Sequence, residues 1–285
     1  MDKICICDNC GKEFILSERE HAFFIEHGFH QPRNCPECKR TNYHYRSKKL
    51  KNFLHEIQYV NRNPQDNSVL EFLNDIGTNP TIVLDTDKFL YRARVVTDIN
   101  KISIEKGFWG YSKSDSFIPP INLTKDMRAN YRYIPYLYCS NSPYIALCET
   151  RPRFGTIVSV AKIAIKDKLE VFDLTLLQEP KGMNRTKRRL CEDLSEMFSK
   201  PVMSDDDTLN YLPTQYISEF IKKLGYDGLK YKSTYSIFSK YIDDTNLVIF
   251  NYQKCEPIKS NKFIVNKLTL GCKKDDEDDE NIFDF

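Results

Sequence analysis

The chain has 285 residues, 41% hydrophobic and 29% charged, with 42 Lys and Arg set against 40 Asp and Glu for a formal net charge of +2. This composition suits a globular protein with one large domain or two smaller ones. No run of 18 or more apolar residues occurs, which argues against a membrane span, and the opening MDKICICDNC lacks the apolar stretch of a secretory leader, so a cytoplasmic protein is the default expectation.

Charge is unevenly spread. Residues 273–285, KKDDEDDENIFDF, hold two Lys against seven Asp and Glu, a net of −5, so the rest of the chain carries +7 against the whole-chain +2. The plain reading of this stretch is a solubilising, disordered tail. The sharper one is a tail that folds over a basic site in the body.

At the N-terminus, CDNC and CPEC place Cys7, Cys10, Cys35 and Cys38 as two CxxC pairs. Each pair turns two thiolates toward one ion, and Gly11 suits the turn after the first. Four sulfurs predict a closed, structural Zn²⁺ site with no open position for water. The interval HAFFIEHGFH could fill the gap with a short helix or hairpin. Cys5 could stand in for Cys7, and His21, His27, His30 and His44 keep a Cys-to-His exchange open; the alternative is free thiols on a surface loop.

Next, RSKKLKNFLHEIQYV reads as a basic amphipathic helix with Leu50, Phe53, Leu54 and Ile57 on one face, broken at NRNPQDN, and SVLEFLNDI as a second helix ending near GTNP. Without alternation of aromatic and basic residues, this region argues against nucleic-acid binding. From TIVLD onward the texture is β-rich. KFLYRARVV, IPYLYCS, TIVSVAKIAI, VFDLTLL, LKYKS and NLVIFN read as strands, with SPYIALCETR as a short helix. NRTKRRLCEDLSEMFSKPV and LPTQYISEFIKKLGYDG read as longer helices. In the second, Thr214 lies in the N-cap region, Ile217, Phe220, Ile221 and Leu224 form the stripe, and Gly225 stops it. Strands and helices without a regular βαβ repeat predict an α+β fold with a mixed sheet and flanking helices. No Walker loop, GxGxxG or HExxH occurs.

At FLYRARV, MRAN, IPYLYCSNSPYIALCETRP, LPTQYISEFIKKLGYDGLKYKS and NLVIFN, over residues 86 to 252, the sequence resembles the RES domain family. The resemblance implies an ADP-ribosyltransferase-like fold and an enzyme that degrades NAD by phosphorolysis or hydrolysis, as in toxins of bacterial toxin–antitoxin pairs, with growth arrest or defence as the outcome. It implies Arg92 in LYRAR, with Arg94 beside it, Arg128 in MRAN, Tyr138 in YLYCS, Glu149 in ALCETRP and Ser233 in YKST as site residues, Thr234 being an alternative to Ser233. Family members usually have Gly where this chain has Met127 and Tyr133. The resulting division is a zinc-ribbon-like domain over 1–45, a helical connector over 46–85, the RES-like domain over 86–252, and a C-terminal extension with the acidic tail over 253–285.

The residue types suit that chemistry. Arginine forks match a pyrophosphate, so Arg92 and Arg128 are candidates to hold it. A Tyr138 ring can stack on nicotinamide while its hydroxyl orients a ribose. Glu149 can stabilise the oxocarbenium-like sugar as the nicotinamide–ribose bond breaks, and Ser233 can bond the ribose or the nicotinamide amide. Phosphate or water, held by an arginine, would complete the cleavage, and the distant zinc takes no part. Arg151 and Arg153 read as supporting ion-pair residues. Two other functions fit the same features: ADP-ribosyl transfer onto a protein or nucleic acid, and a non-enzymatic zinc-containing binding module. The resemblance also implies an antitoxin or immunity partner; the sequence leaves homo-oligomerisation open.

Overall fold

The computed structural model describes residues 2–6, 13–26, 31–32, 35–36, 47–76, 80–178, 184–200, 208–235 and 244–268. The chain divides into two compact units, residues 1–48 and 49–285. In the first, β1 (Lys3–Ile6) and β2 (Glu13–Leu16) form an antiparallel hairpin, with Lys3 opposite Leu16, and α1 (Glu18–Glu26) follows. The helix covers the first part of HAFFIEHGFH. Ser17 caps its start: Ser17 Oγ accepts from the Glu20 backbone N–H, while Glu20 accepts from the Ser17 backbone N–H. Cys35 is buried against Phe14. Cys7, Cys10, Cys38, His27, His30, His44 and the acidic stretch 273–285 lie outside the described residues.

α2 (Lys48–His55), whose first residue ends the first unit, leads the second and runs into a turn of π-helix over Glu56–Val60, and then α3 (Ser68–Ile76) follows. Leu50, Phe53 and Ile57 are buried as their spacing predicts. The remaining elements are β3 (Thr81–Leu84), β4 (Phe89–Val95), β5 (Phe108–Trp109), β6 (Leu137–Ser140), α4 (Pro143–Glu149), β7 (Ile157–Ile165), β8 (Leu169–Asp173), α5 (Arg185–Ser199), α6 (Leu212–Lys223), β9 (Gly228–Lys232), β10 (Thr245–Ile249) and β11 (Cys255–Ile264). The nine strands β3 to β11 form one mixed sheet in the order β3-β8-β9-β10-β6-β4-β7-β11-β5; β8–β9 and β11–β5 are parallel and the other pairs antiparallel. This is the α+β architecture with a mixed sheet and flanking helices that the sequence predicts.

The sheet reaches past both limits expected for the RES-like segment. β3 lies before residue 86, and β11 lies after residue 252, paired with β7 along its length. β11 is hard to read because CEPIKSNKFI mixes Lys with Pro257, and a proline costs a ladder hydrogen bond. The register shifts between Pro257 and Lys259, so the proline sits at an irregularity that tolerates it. VFDLTLL is only partly strand: it turns into a 3₁₀ segment, Leu174–Gln178, after Asp173.

One face of the sheet buries Leu90, Leu137, Cys139, Ile163, Val171, Leu247 and Ile249, with Phe117 and Ile118 packed against them. On the other face Val158 and Val160 pack against Ala93 and Leu147 of α4. Fully burying each of these aliphatic side chains contributes roughly 1.5–3 kcal/mol, so the alternation along the strands fixes which residues face which way. Gly228 is required where β9 meets β10, since a Cβ there would lie 2.5 Å from the Val248 carbonyl oxygen.

Beyond the sheet, Asp227 is buried and accepts hydrogen bonds from Lys254 Nζ at 2.8 Å, the Glu170 backbone N–H at 2.9 Å and Asn251 Nδ2 at 3.0 Å. Burial pulls its pKa upward, but these donors and the Lys254 charge outweigh it and hold the carboxyl below its ordinary value. A group lowered on folding adds stability above its unfolded pKa, near 4, and loses it as the pH falls further. Equilibrium unfolding at neutral pH and near pH 3 should therefore show a smaller acid-induced loss of stability in Asp227→Asn than in the wild type. A second test concerns Tyr133, which has φ 69° and is 56% exposed. A non-glycine residue in the left-handed region costs about 1–2 kcal/mol, partly offset in any glycine replacement by the freer unfolded chain. Tyr133→Gly should raise stability by about 0.5–1 kcal/mol in denaturant unfolding, and Tyr133→Val, β-branched, should lower it.

Candidate active site

The CSNSP turn leads from β6 into α4. Ser142 caps α4, its Oγ accepting from the Ile145 backbone N–H at 3.5 Å, and Pro143 fills the first helical turn. The seven-residue helix ends at Glu149, which the turn therefore brings back against β10. Glu149 is exposed, but its Oε1 accepts two hydrogen bonds from buried side chains: Ser233 Oγ at 2.6 Å, just after β9, and Asn246 Nδ2 at 2.5 Å, on β10. Asn246 Oδ1 in turn accepts from Ser140 Oγ at 2.7 Å, across the β6–β10 pair. Thr234 is turned elsewhere and donates to the Ser199 carbonyl at the end of α5, so Ser233 is the residue of the pair that meets Glu149.

Tyr138 leaves β6 on the same face as Ser140. Its hydroxyl donates to Asn130 Oδ1 at 2.8 Å and accepts from the Ala129 backbone N–H at 3.0 Å. Burial pushes the phenol well above its ordinary pKa, so it stays a neutral donor. The MRAN loop that meets it is clamped from α6: Gln215 Nε2 donates to the carbonyls of Met127 and Asn130, and Thr214 Oγ1 to that of Arg128 at 2.6 Å. Thr214 thus sits inside the first turn of α6, behind Pro213, and anchors the loop; the cap position is Tyr211.

Arg128 holds the end of α5. Its Nη1 donates to the Met197 carbonyl at 3.1 Å and its Nη2 to that of Lys200 at 2.5 Å, where the helix dipole favours a cation. The guanidinium lies 6.0 Å from the centre of the Tyr231 ring, which faces Asn246 across the β9–β10 pair.

Arg92 and Arg94 are placed differently. Strand alternation puts both on the face of Leu90, with Arg92 opposite Ala161 and Arg94 opposite Ser159. Arg94 donates to the Asp115 carbonyl and lies over the Tyr111 ring at 5.4 Å, which ties it to the loop before β6. Arg92 Nη1 donates to the Tyr138 carbonyl at 3.2 Å, where β4 and β6 pair at the single position Tyr91 and Ser140. Its Nε is buried without a partner among the described residues, and loss of solvent lowers its pKa to about 10, with Arg94 adding repulsion. The structure thus joins Glu149 to Ser233 directly, sets Tyr138 and Arg128 on one loop system, and links Arg92 to them through a carbonyl. Arg151 bonds the Tyr235 side chain, and neither Arg151 nor Arg153 forms an ion pair among the described residues.

Sequence reasoning missed Asn246, Asn130 and Ser140. Asn246 opens NLVIFN and Asn130 closes MRAN, both quoted as motifs, yet a lone Asn or Ser carries no signal until its partners are known.

Among the described residues no group of three or more His, Cys, Asp or Glu could hold a metal, and no helix is long and apolar enough to cross a membrane. Residues 1–47 match a family model described as a probable treble clef domain. In the crystal structure of the M. tuberculosis MbcT–MbcA toxin–antitoxin complex, a chain is similar to this one at 13% identity, over 69% of this chain and 92% of that chain, with a TM-score of 0.40. No curated protein matches the sequence. The model of the RES domain matches residues 91–265, more than half of the chain and most of the sheet with its helices. The chain belongs to the RES domain family.

Proposed function

We propose that the chain is an NAD-consuming enzyme that cleaves the nicotinamide–ribose bond, acting as a toxin whose activity a separate antitoxin restrains. The observation that carries this reading is the Ser233–Glu149–Asn246 group: an exposed carboxylate with one oxygen fixed by two side-chain donors. Such a carboxylate keeps its second oxygen for a ligand and suits the positive charge that develops on the sugar.

In this reading NAD lies with its nicotinamide ribose at Glu149 and its ring beside Tyr138. Tyr138, neutral and fixed by Asn130, orients a ribose hydroxyl. Arg92 leaves β4 on the face opposite Tyr138, so in this reading its half-buried guanidinium, with an unused Nε donor, meets a pyrophosphate oxygen at the edge where β4 and β6 pair at a single position, and Arg128 adds positive charge while holding α5 in place. The bond between the ribose and nicotinamide nitrogen breaks, and its electron pair leaves with neutral nicotinamide. An oxygen of phosphate forms the new bond to the sugar to give ADP-ribose-1″-phosphate, or water does so and releases a proton to give ADP-ribose. In the N-terminal unit Cys7, Cys10, Cys35 and Cys38 would hold a structural Zn²⁺ through four thiolates, and the metal would contribute folding energy to that unit.

Purified protein incubated with NAD, with and without phosphate, should release nicotinamide, and NMR of the second product names the nucleophile. Glu149→Ala should lower turnover by about 100- to 1,000-fold, the scale of losing a charge-stabilising group. Arg92→Ala should raise KM for NAD. Intact NAD after prolonged incubation, or near-normal turnover in Glu149→Ala, would sink the reading. Radiolabel transferred from NAD onto a protein or RNA would replace it with ADP-ribosyl transfer.

A further inference from the structure

We infer that Asn246 is a positioning residue for Glu149, set in its own orientation by Ser140; the inference deepens, and rests on, the NAD-cleaving reading. Glu149 is the last residue of a seven-residue helix, at the end where the helix dipole disfavours an anion, and it is exposed. Left alone, such a side chain would sample several rotamers. Ser233 by itself would still allow the carboxylate to turn about its last torsion. A second donor from a different strand fixes its plane, and Asn246 is that donor.

The amide has one workable orientation. Asn246 is 5% exposed, between Tyr231 on β9 and Ser140 on β6. With Nδ2 toward Glu149, its Oδ1 accepts the Ser140 hydroxyl at 2.7 Å. The flipped amide would set Oδ1 against the Glu149 carboxylate, oxygen against oxygen. Ser140, itself 2% exposed, thus specifies the amide, and the amide specifies Glu149. Both donors converge on Oε1, which leaves Oε2 as the oxygen offered to the sugar.

Among the described residues, the other titratable groups around Glu149 leave this relay readable. Cys148 and Tyr144 on α4, Tyr231 on β9 and Tyr235 beyond it all lose protons only above their ordinary values, so they are silent in the acid range. Arg151 and Arg128 carry fixed charges, and Asp244, 3% exposed, is the second carboxylate nearby.

Two measurements on the full-length protein test the inference. In ¹⁵N-labelled protein, the Asn246 side-chain amide resonances should move through an acid titration, and that movement should vanish in Glu149→Gln but persist in Asp244→Asn. In kinetics, Asn246→Ala should lower kcat about 10- to 100-fold, the scale of a displaced catalytic group, with KM for NAD changed less than about threefold. Ser140→Ala should lower kcat in the same direction by less. Adding Asn246→Ala to Glu149→Gln should cost under about twofold, since the two residues act as a unit. Equal losses in both backgrounds, or an amide that ignores Glu149, would overturn the inference, with thermal melts confirming that each variant folds. If the wild type leaves NAD intact, the proposed function fails on the kinetics while the resonance titration still decides whether Asn246 holds Glu149.

Discussion

The arrangement depends on one carboxylate oxygen accepting two hydrogen bonds. Glu149 Oε1 receives Ser233 from the end of β9 and Asn246 from β10, so a helix end is tied to two strands far away in sequence. A hydrogen bond to a charged acceptor contributes about 1.5–3 kcal/mol, whereas a surface ion pair contributes well under that. This tie is therefore strong enough to hold a short helix that propensity alone would not form, since an isolated seven-residue helix is unstable in water. The Ser142 cap and Pro143 start the helix, the strands fix its far end, and the charged residue is left at the surface between them.

The second structural tie is α6 to the MRAN loop. A loop must satisfy its own buried carbonyls, and here Gln215 and Thr214 do so for Met127, Arg128 and Asn130. The loop then presents Asn130 and the Ala129 N–H to Tyr138. This order explains why α6 begins with LPTQ: Pro213 suits the first turn because it lacks an N–H, Gln215 reaches the neighbouring loop, and Thr214 donates both to that loop and to the Tyr211 carbonyl at the start of its own helix. The strained Tyr133 lies in the same loop, just before the chain enters β6. At Met127, the other usual glycine position, φ is not positive, so a side chain there is unstrained.

Much of this was legible in the sequence because periodicity and local caps act within a few residues. Leu50, Phe53 and Ile57, the FLYRARV and IVSVAKIAI strands, and Gly225 with φ 99° after α6 all carry local signals. What stayed hidden depends on pairing across the chain. β5 is two residues long, and β11 disguises itself with Pro257 and lysines. Thr214 looked like a cap because its partner, the Arg128 carbonyl, lies 86 residues away. The candidate residues Glu149 and Ser233 could be named from motif order, but Asn246, which bonds the same oxygen, could not: nothing local separates an amide that grips a carboxylate from one that merely starts a strand.

The two arginines named together from the sequence differ in what their surroundings leave unfinished. Arg128 has neutral partners at a helix end, where two carbonyls and the dipole already compensate its charge. Arg92 has one carbonyl, a buried Nε without a partner among the described residues, and a second cation, Arg94, two residues along the same face. No carboxylate pairs with it among the described residues. Desolvation lowers its pKa, yet a guanidinium stays charged at neutral pH, so the desolvation is borne as a standing cost. An unsatisfied buried donor costs about 1–3 kcal/mol, and more when it is charged. An arriving anionic oxygen would remove that cost as well as add its own attraction, whereas at Arg128 it would have to compete with bonds already made. Electrostatics therefore separates the two residues: Arg92, on the Leu90 face, keeps an unsatisfied donor, whereas Arg128 is the clamp that holds the end of α5 beside the Tyr138 loop and the Tyr231 ring.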